Sequence, residues 1–432
     1  MTDALRARFL QGLRPWPAAG GVSHPPGPPG GVVEPVEKGS SPLFAGRSLG
    51  LAVSGGGDSM AMLHLAAGLD VRVVSVDHGL RAGAAAEAQQ VAQVCAGLGL
   101  RHDILAWRWD GRGNLQDAAR RGRRAAMADW ALRSGVGAVA LAHTRDDVAE
   151  TFVMRLARGA GVDGLAAMAR CWQEGGVTWL RPVLEVSRAE LRGYLRRIGA
   201  NWVEDPSNDN ARFDRVKVRR ALALLGPLGM TPERLAEVAG HLAAARDALE
   251  AVTDAAAPRV LQDVAGAVRF DVRALAAEAP EVQRRLLLRV TRVVATGFYA
   301  PRGPAVQALL GRLLGGHPAT LAGCRFQFLR GVLWAYREAR AVADLVCAPG
   351  QIWDGRWRMA GPAGHEVRAL GAGLQLCPDW RATGVPRGAL LASPALWLGK
   401  RLIAAPHAGF GPGDSVISLF AASGLHHSAI SH

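Results

Sequence analysis

Between residues 49 and 158, short apolar runs alternate with longer segments of helical composition. Residues 49–53, 71–77, 101–106 and 138–142 read as strands. The second is the most β-branched of them, Val-Arg-Val-Val-Ser-Val-Asp. Residues 58–69, 84–98, 114–134 and 146–158 read as helices, with Leu115, Ala119, Ala126 and Trp130 at roughly helical spacing in the third. Repeated βα units with short connections predict an α/β fold with a doubly wound parallel sheet. In such a sheet ligands bind beyond the carboxyl ends of the strands. Three polar clusters follow three of the strands: residues 54–59, Asp77-His78-Gly79-Leu80-Arg81, and His143-Thr144-Arg145-Asp146-Asp147. They are predicted to share one rim, which makes that rim the candidate site.

The first cluster is Ser54-Gly55-Gly56-Gly57-Asp58-Ser59. Three glycines at a strand-to-helix turn let the backbone approach an anion closely. Their N–H groups, with the Ser54 and Ser59 hydroxyls, can point at phosphate oxygens beside a helix N-terminus. An ordinary tight turn would have the same composition. No Gly-Lys-Ser/Thr follows, so this is not a Walker A loop, and it lacks the dinucleotide spacing Gly-x-Gly-x-x-Gly.

Asp58, Asp146 and Asp147 are candidate ligands for Mg²⁺, since hard divalent cations take carboxylate and phosphate oxygens together. Asp146 and Asp147 also open a predicted helix, where capping alone accounts for acids. Glu150 adds a third carboxylate on an adjacent face, which exceeds what capping requires. His143 ends the fourth strand and His78 the second, at the positions where a ring could serve the site.

The 432 residues carry 51 Lys and Arg against 37 Asp and Glu, a net charge of +14. That balance favours a polyanionic partner such as nucleic acid. Lysine occurs only at 38, 217 and 400, so an Arg-rich coding bias accounts for part of it. Arg120, Arg121, Arg123 and Arg124 crowd one helix, and Arg212, Arg215, Lys217, Arg219 and Arg220 form a second cluster. Phosphate contacts would explain both, as would solvated basic faces. The five cysteines are scattered, without Cys-x-x-Cys or metal-ligand spacing, which fits a reducing cytoplasm. No apolar run approaches the roughly 18 residues of a membrane span, and residues 1–20 lack a signal-peptide apolar region, so no membrane partner is expected.

Residues 1–46 read as an extension with a Pro/Gly-rich linker, and 47–220 as the α/β domain. Residues 221–344 read as mostly helical, and 345–432 as a small third domain with short strand-like runs.

The first cluster resembles the S-G-G-x-D-S pyrophosphatase loop of the ATP-cleaving PP-loop enzymes. Within that superfamily, Val76-Asp77-His78-Gly79-Leu80-Arg81 is similar to the V-D-H-G-L-R of bacterial tRNA(Ile)-lysidine synthases. So is Leu141-Ala142-His143-Thr144-Arg145-Asp146-Asp147-Val148-Ala149-Glu150-Thr151, as is Glu204-Asp205-Pro206-Ser207-Asn208 with the basic run through Arg219. The resemblance is dense from about 48 to 220 and thin beyond. This chain departs from the family at Thr144, where a second His is common, at Arg123-Arg124 in place of Arg-Tyr, and at Arg215-Val216 in place of Arg-Asn.

The resemblance implies ATP and Mg²⁺ as cofactors and conversion of the wobble cytidine of tRNA(Ile) with a CAU anticodon to lysidine. ATP adenylates the base, pyrophosphate leaves, and free L-lysine displaces AMP. On this reading Ser54, Gly55, Gly56, Gly57, Asp58, Ser59, Asp77 and His78 bind the nucleotide, and Asp58 and Asp147 hold the metal. Asp58, His143, Asp146, Asp147 and Glu150 serve the chemistry, while Arg120, Arg123, Arg124, Arg215, Lys217 and Arg219 grip tRNA. A homodimer is one assembly open to such an enzyme. The rivals are a PP-loop tRNA 2-thiolase, an amide ligase for a small metabolite, and a non-catalytic RNA-binding protein. The lack of Cys-x-x-Cys argues against the first. The basic clusters argue against the second, and the acidic rim against the third.

Overall fold

A computed structural model describes residues 2–14, 48–77, 79, 84–109, 111, 115–204, 214–296, 301, 303–411 and 416–418. The Pro/Gly-rich segment, His78, and residues 205–213 lie outside these. The chain divides into two compact units at Arg246/Asp247.

The first unit contains α1 (Thr2–Gly12), β1 (Ser48–Ala52), α2 (Gly57–Leu65), β2 (Val71–Asp77), α3 (Ala84–Gly97) and β3 (Arg101–Ala106). It continues with α4 (Leu115–Arg133), β4 (Val136–Leu141), α5 (Arg145–Leu156), α6 (Val162–Leu165), β5 (Cys171–Glu174) and β6 (Val177–Leu180). Then come α7 (Arg188–Arg197), α8 (Asp214–Leu225) and α9 (Pro232–Val260), the last of which runs through the division. The six strands form one sheet in the order β3-β2-β1-β4-β6-β5. Every pairing is parallel except the β5–β6 hairpin at the edge.

Alternation along each strand sorts side chains onto two buried faces. Leu49, Leu51, Val53, Val71, Val73, Ala138 and Ala140 meet Met60, Leu63, Val91, Leu191 and Leu195 on one face, where Phe9 of α1 is also buried. Val74, Val76, Val139 and Leu141 meet Met127, Trp130 and Ala131 of α4 on the other. Helices on both faces make the sheet doubly wound, as the alternating pattern predicts. The hairpin β5–β6 and α7 were not among the expected elements.

The second unit pairs helices with antiparallel sheets. β7 (Leu261–Val264) and β8 (Ala267–Phe270) precede α10 (Val272–Ala277), α11 (Pro280–Ala295) and α12 (Gly303–Leu314). β9 (Ala319–Leu321), β10 (Cys324–Leu329) and β11 (Val332–Arg337) complete a five-stranded sheet in the order β7-β8-β11-β10-β9. Residues 221–344, expected to be mostly helical, therefore carry a sheet whose core includes Val268, Phe270, Phe326 and Leu333 beneath Leu286 and Val290. Beyond it lie a four-stranded sheet built from residues 346–404 and a three-stranded one from 352–359 and 416–418. Among the described residues no helix is long and apolar enough to cross a membrane.

Candidate active site at the reversal of strand order

β1 sits between β2 and β4, so the connections leaving β1 and β4 diverge and open a crevice at their carboxyl ends. The glycine turn follows β1. Gly55 has φ +86°, a conformation an L side chain adopts only with strain. Its carbonyl accepts from the Val203 N–H at 3.0 Å, which ties the turn to a neighbouring segment. A Cβ on Gly57 would stand 3.3 Å from the Trp202 indole, so a side chain there would press on that ring. The buried Ser59 Oγ donates to the Gly56 carbonyl at 2.9 Å and accepts from Ser54 N–H at 3.2 Å. Ser59 thus locks the turn from within, while Ser54 is exposed on it. The N–H groups at the start of α2 that precede the Met60 N–H, which bonds to the Gly56 carbonyl, have no intrahelical partner.

α5 follows β4. Thr144 caps it in a reciprocal box: Asp147 N–H donates to Thr144 Oγ1 at 3.4 Å, and Thr144 N–H donates to Asp147 Oδ2 at 2.8 Å. The Thr144 hydroxyl donates to the same carboxylate oxygen at 2.9 Å. The residue that departs from the family's second His therefore orients Asp147. Asp146 turns elsewhere, its Oδ2 accepting from the backbone N–H of Arg188 at 2.8 Å.

Arg188 is the residue that the sequence reading missed. It is the first residue of α7, fixed by a second capping box between Ser187 and Glu190. Its Nε donates to Asp58 Oδ2 at 3.3 Å, Nη1 to Glu150 Oε1 at 3.0 Å and Nη2 to Asp147 Oδ1 at 3.3 Å. Asp58, Asp146, Asp147 and Glu150 thus all converge on one arginine, from α2 and α5. The sequence signal was Ser187-x-x-Glu190, which marks a helix start and puts Arg188 at its first position.

Two of the arginines expected to contact tRNA face the carboxylates of α5. Arg219 donates to Glu150 Oε1 at 2.6 Å, and Arg215 lies 3.8 Å from Asp147 Oδ1. Arg219 turns inward because Glu150 is only 1% exposed, and a buried carboxylate must be paired. Lys217 pairs with Asp214 on the surface, and Arg124 with Glu174 at 2.5 Å. Arg120 and Arg123 are exposed on α4 and pair with no carboxylate among the described residues. Asp77 accepts from the Gly79 N–H at 2.8 Å and lies 3.7 Å from Arg108.

The charges set the titration of the site. Burial pushes the Asp58 carboxyl up, against the pull of Arg188. Burial also acts to raise Asp147, but the opposing charges and the Thr144 N–H outweigh it and hold the carboxyl low. Burial, then the Arg181 guanidinium, lower the His143 pKa to about 3. His143 is therefore neutral at pH 7, and the charges that hold Asp147 low at that pH are those of Arg188 and Arg215. Arg181 Nε donates to His143 Nδ1 at 3.2 Å. Arginine can only donate, so Nδ1 is the acceptor and Nε2 carries the proton. Arg181 itself stacks on Trp172 at 4.0 Å, and burial with nearby Arg120 and Arg124 lowers its pKa to about 10.

The donor set suits a hard cation. Asp58 Oδ1 and Glu150 Oε2 are buried and have no hydrogen-bond partner among the described residues. No three His, Cys, Asp or Glu among the described residues form a metal site by themselves. Mg²⁺ ordinarily takes only one or two carboxylates beside substrate phosphates, which one free oxygen of Asp58 satisfies.

Comparison with known proteins fits this geometry. A family described as a PP-loop domain matches residues 33–225. A tRNA(Ile)-lysidine synthase from Ruegeria pomeroyi is 48% identical over 377 residues, covering 85% of this chain and 90% of the relative. Synthases of the same name from Zymomonas mobilis and a Methylobacterium species are 40% and 38% identical, covering 69% and 77% of this chain and 90% and 92% of their own. The fold is that of a PP-loop enzyme. With its glycine turn and converging carboxylates intact, the chain belongs to the tRNA(Ile)-lysidine synthase family.

Proposed function

We propose that this ATP-dependent ligase joins free L-lysine to the wobble cytidine of tRNA(Ile) bearing a CAU anticodon. The observation that carries the reading is the convergence of Asp58, Asp147 and Glu150 beside the glycine turn, at the reversal of strand order. Phosphate binding and cation binding then share one crevice.

The triphosphate lies along the 54–57 turn and the start of α2, whose N–H groups meet its oxygens. The cytidine leaves the anticodon loop, which a single strand permits at low cost. Its O2 attacks the α-phosphorus, the bond to the β-phosphate oxygen breaks, and pyrophosphate departs. Mg²⁺ supplies charge neutralisation for that departure, and Asp58, with Asp147 across the crevice, are the residues to hold it. The lysine ammonium is held by Glu150 and Asp147. It loses a proton to a carboxylate of the cluster before its Nε attacks C2. The C2–O2 bond then breaks and AMP leaves. His143, neutral with its proton on Nε2, donates to an oxygen of the reacting group. Arg120 and Arg123 meet tRNA phosphates, as their exposure and their lack of acidic partners among the described residues suggest.

Purified protein incubated with ATP, Mg²⁺, radiolabelled lysine and unmodified isoleucine tRNA tests the reading. Label enters tRNA only when ATP is present. ATP cleavage without label in the tRNA, or sulfur transfer to it, would replace the reading with one of its rivals.

A further inference from the structure

Glu150 and Asp147 offer a substrate ammonium one place, and a guanidinium already contacts both, with Asp58 beside them. Arg188 reaches Asp58, Glu150 and Asp147 at 3.0–3.3 Å, through three different nitrogens. No other cation among the described residues spans the set: Arg219 touches Glu150 alone, and Arg215 only approaches Asp147. A planar fork and an ammonium cannot both satisfy the same oxygens at these distances. The arginine side chain is 17% exposed, so it can move without opening the core. Its backbone is held separately, by Asp146 on the Arg188 N–H and by the Ser187–Glu190 box.

We propose that Arg188 couples nucleotide binding to lysine binding, competing with the lysine ammonium for Asp147 and Glu150 until phosphate oxygens in the glycine turn draw its guanidinium away. The proximity of the turn is on the Asp58 side: Asp58 is the second residue of α2, and its carboxylate is already bonded to Arg188 Nε. A triphosphate in the turn presents several charged oxygens with the geometry a guanidinium prefers. Transfer of the fork to them frees the carboxylates for the amine. ATP and lysine then bind with positive, reciprocal coupling. Lysine is admitted after the nucleotide, which keeps the amine away until there is something for it to attack.

This inference rests on the lysidine reading, and its test is chosen to fail separately. Lysine affinity is measured calorimetrically at fixed Mg²⁺, with and without the non-cleavable analogue α,β-methylene-ATP. In the unaltered protein the analogue tightens lysine binding about tenfold or more. In Arg188→Met, lysine binds without the analogue as tightly as it does to the unaltered protein with it, and the coupling disappears. Arg188→Lys, whose single ammonium cannot bridge three carboxylates, keeps a reduced coupling and controls for folding. Lysine binding that ignores the analogue in the unaltered protein, or coupling that survives in Arg188→Met, overturns the proposal even while label still enters tRNA. Failure of label transfer overturns the lysidine reading itself.

Discussion

At the residue scale, Asp58→Asn is expected to lower pyrophosphate release on the order of 100-fold, since the departing pyrophosphate loses the cation that Asp58 would hold, with tRNA affinity measured by filter binding unchanged. Such a residue is legible in the sequence where chemistry and local spacing coincide. Asp58 in its glycine turn, and Asp146, Asp147 and Glu150 on one helix, could be found from spacing alone. Arg188 could not, because its partners lie 38 to 130 residues away and a lone arginine at a helix start reads as solvated surface. The inward turn of Arg219 was hidden for the same reason. His143 supplies a pH signature. Its pKa falls from 6.5 when exposed to about 3 when folded. Below pH 6.5 the unfolded chain takes up a proton that the folded chain refuses, so this contribution to stability falls as pH drops toward 3 and levels off below. The slope is at most about 1.4 kcal/mol per pH unit. Urea midpoints of His143→Gln between pH 7 and pH 4 should fall less steeply than those of the unaltered protein; parallel curves would contradict the buried neutral ring.

At the element scale, β1, β2 and β4 with their helices were readable because strands buried on both faces are short and apolar, while β3, an exposed to half-buried edge strand, was readable from its place in the βα alternation. The β5–β6 hairpin was not, since its strands have four residues each, with Gln173 and Glu174 among them. β7 and β8 failed for a similar reason: four residues apiece, joined by Ala265 and Gly266 at positive φ, between segments of strong helical composition. Two capping devices hold the site in place. Ser187→Ala removes the cap of α7 and is expected to cost about 1 kcal/mol, read from the urea midpoint. It should also slow pyrophosphate release, because it loosens Arg188 without touching substrate. Gly55→Ala forces a side chain into φ +86° and should cost about 1–2 kcal/mol while raising the KM for ATP. An unchanged KM would mean that the turn does not hold phosphate.

At the scale of the whole molecule, the net charge of +14 is spread unevenly. Much of the arginine near the crevice is consumed by Asp and Glu partners, while Arg120 and Arg123 on α4 keep their charge for solvent or phosphate. Arg123→Ala should weaken tRNA binding at low salt and reduce the slope of log affinity against log salt by about one. Equal slopes would remove Arg123 from the interface. The nucleotide in the glycine turn and the carboxylates of α5 are expected to act on one base, so that the cytidine oxygen attacks ATP. Isoleucine tRNA carrying ¹⁸O at O2 of the wobble cytidine tests this directly, with the released AMP read by mass spectrometry. One ¹⁸O in AMP is expected for each lysine joined; unlabelled AMP would mean that another atom attacks ATP.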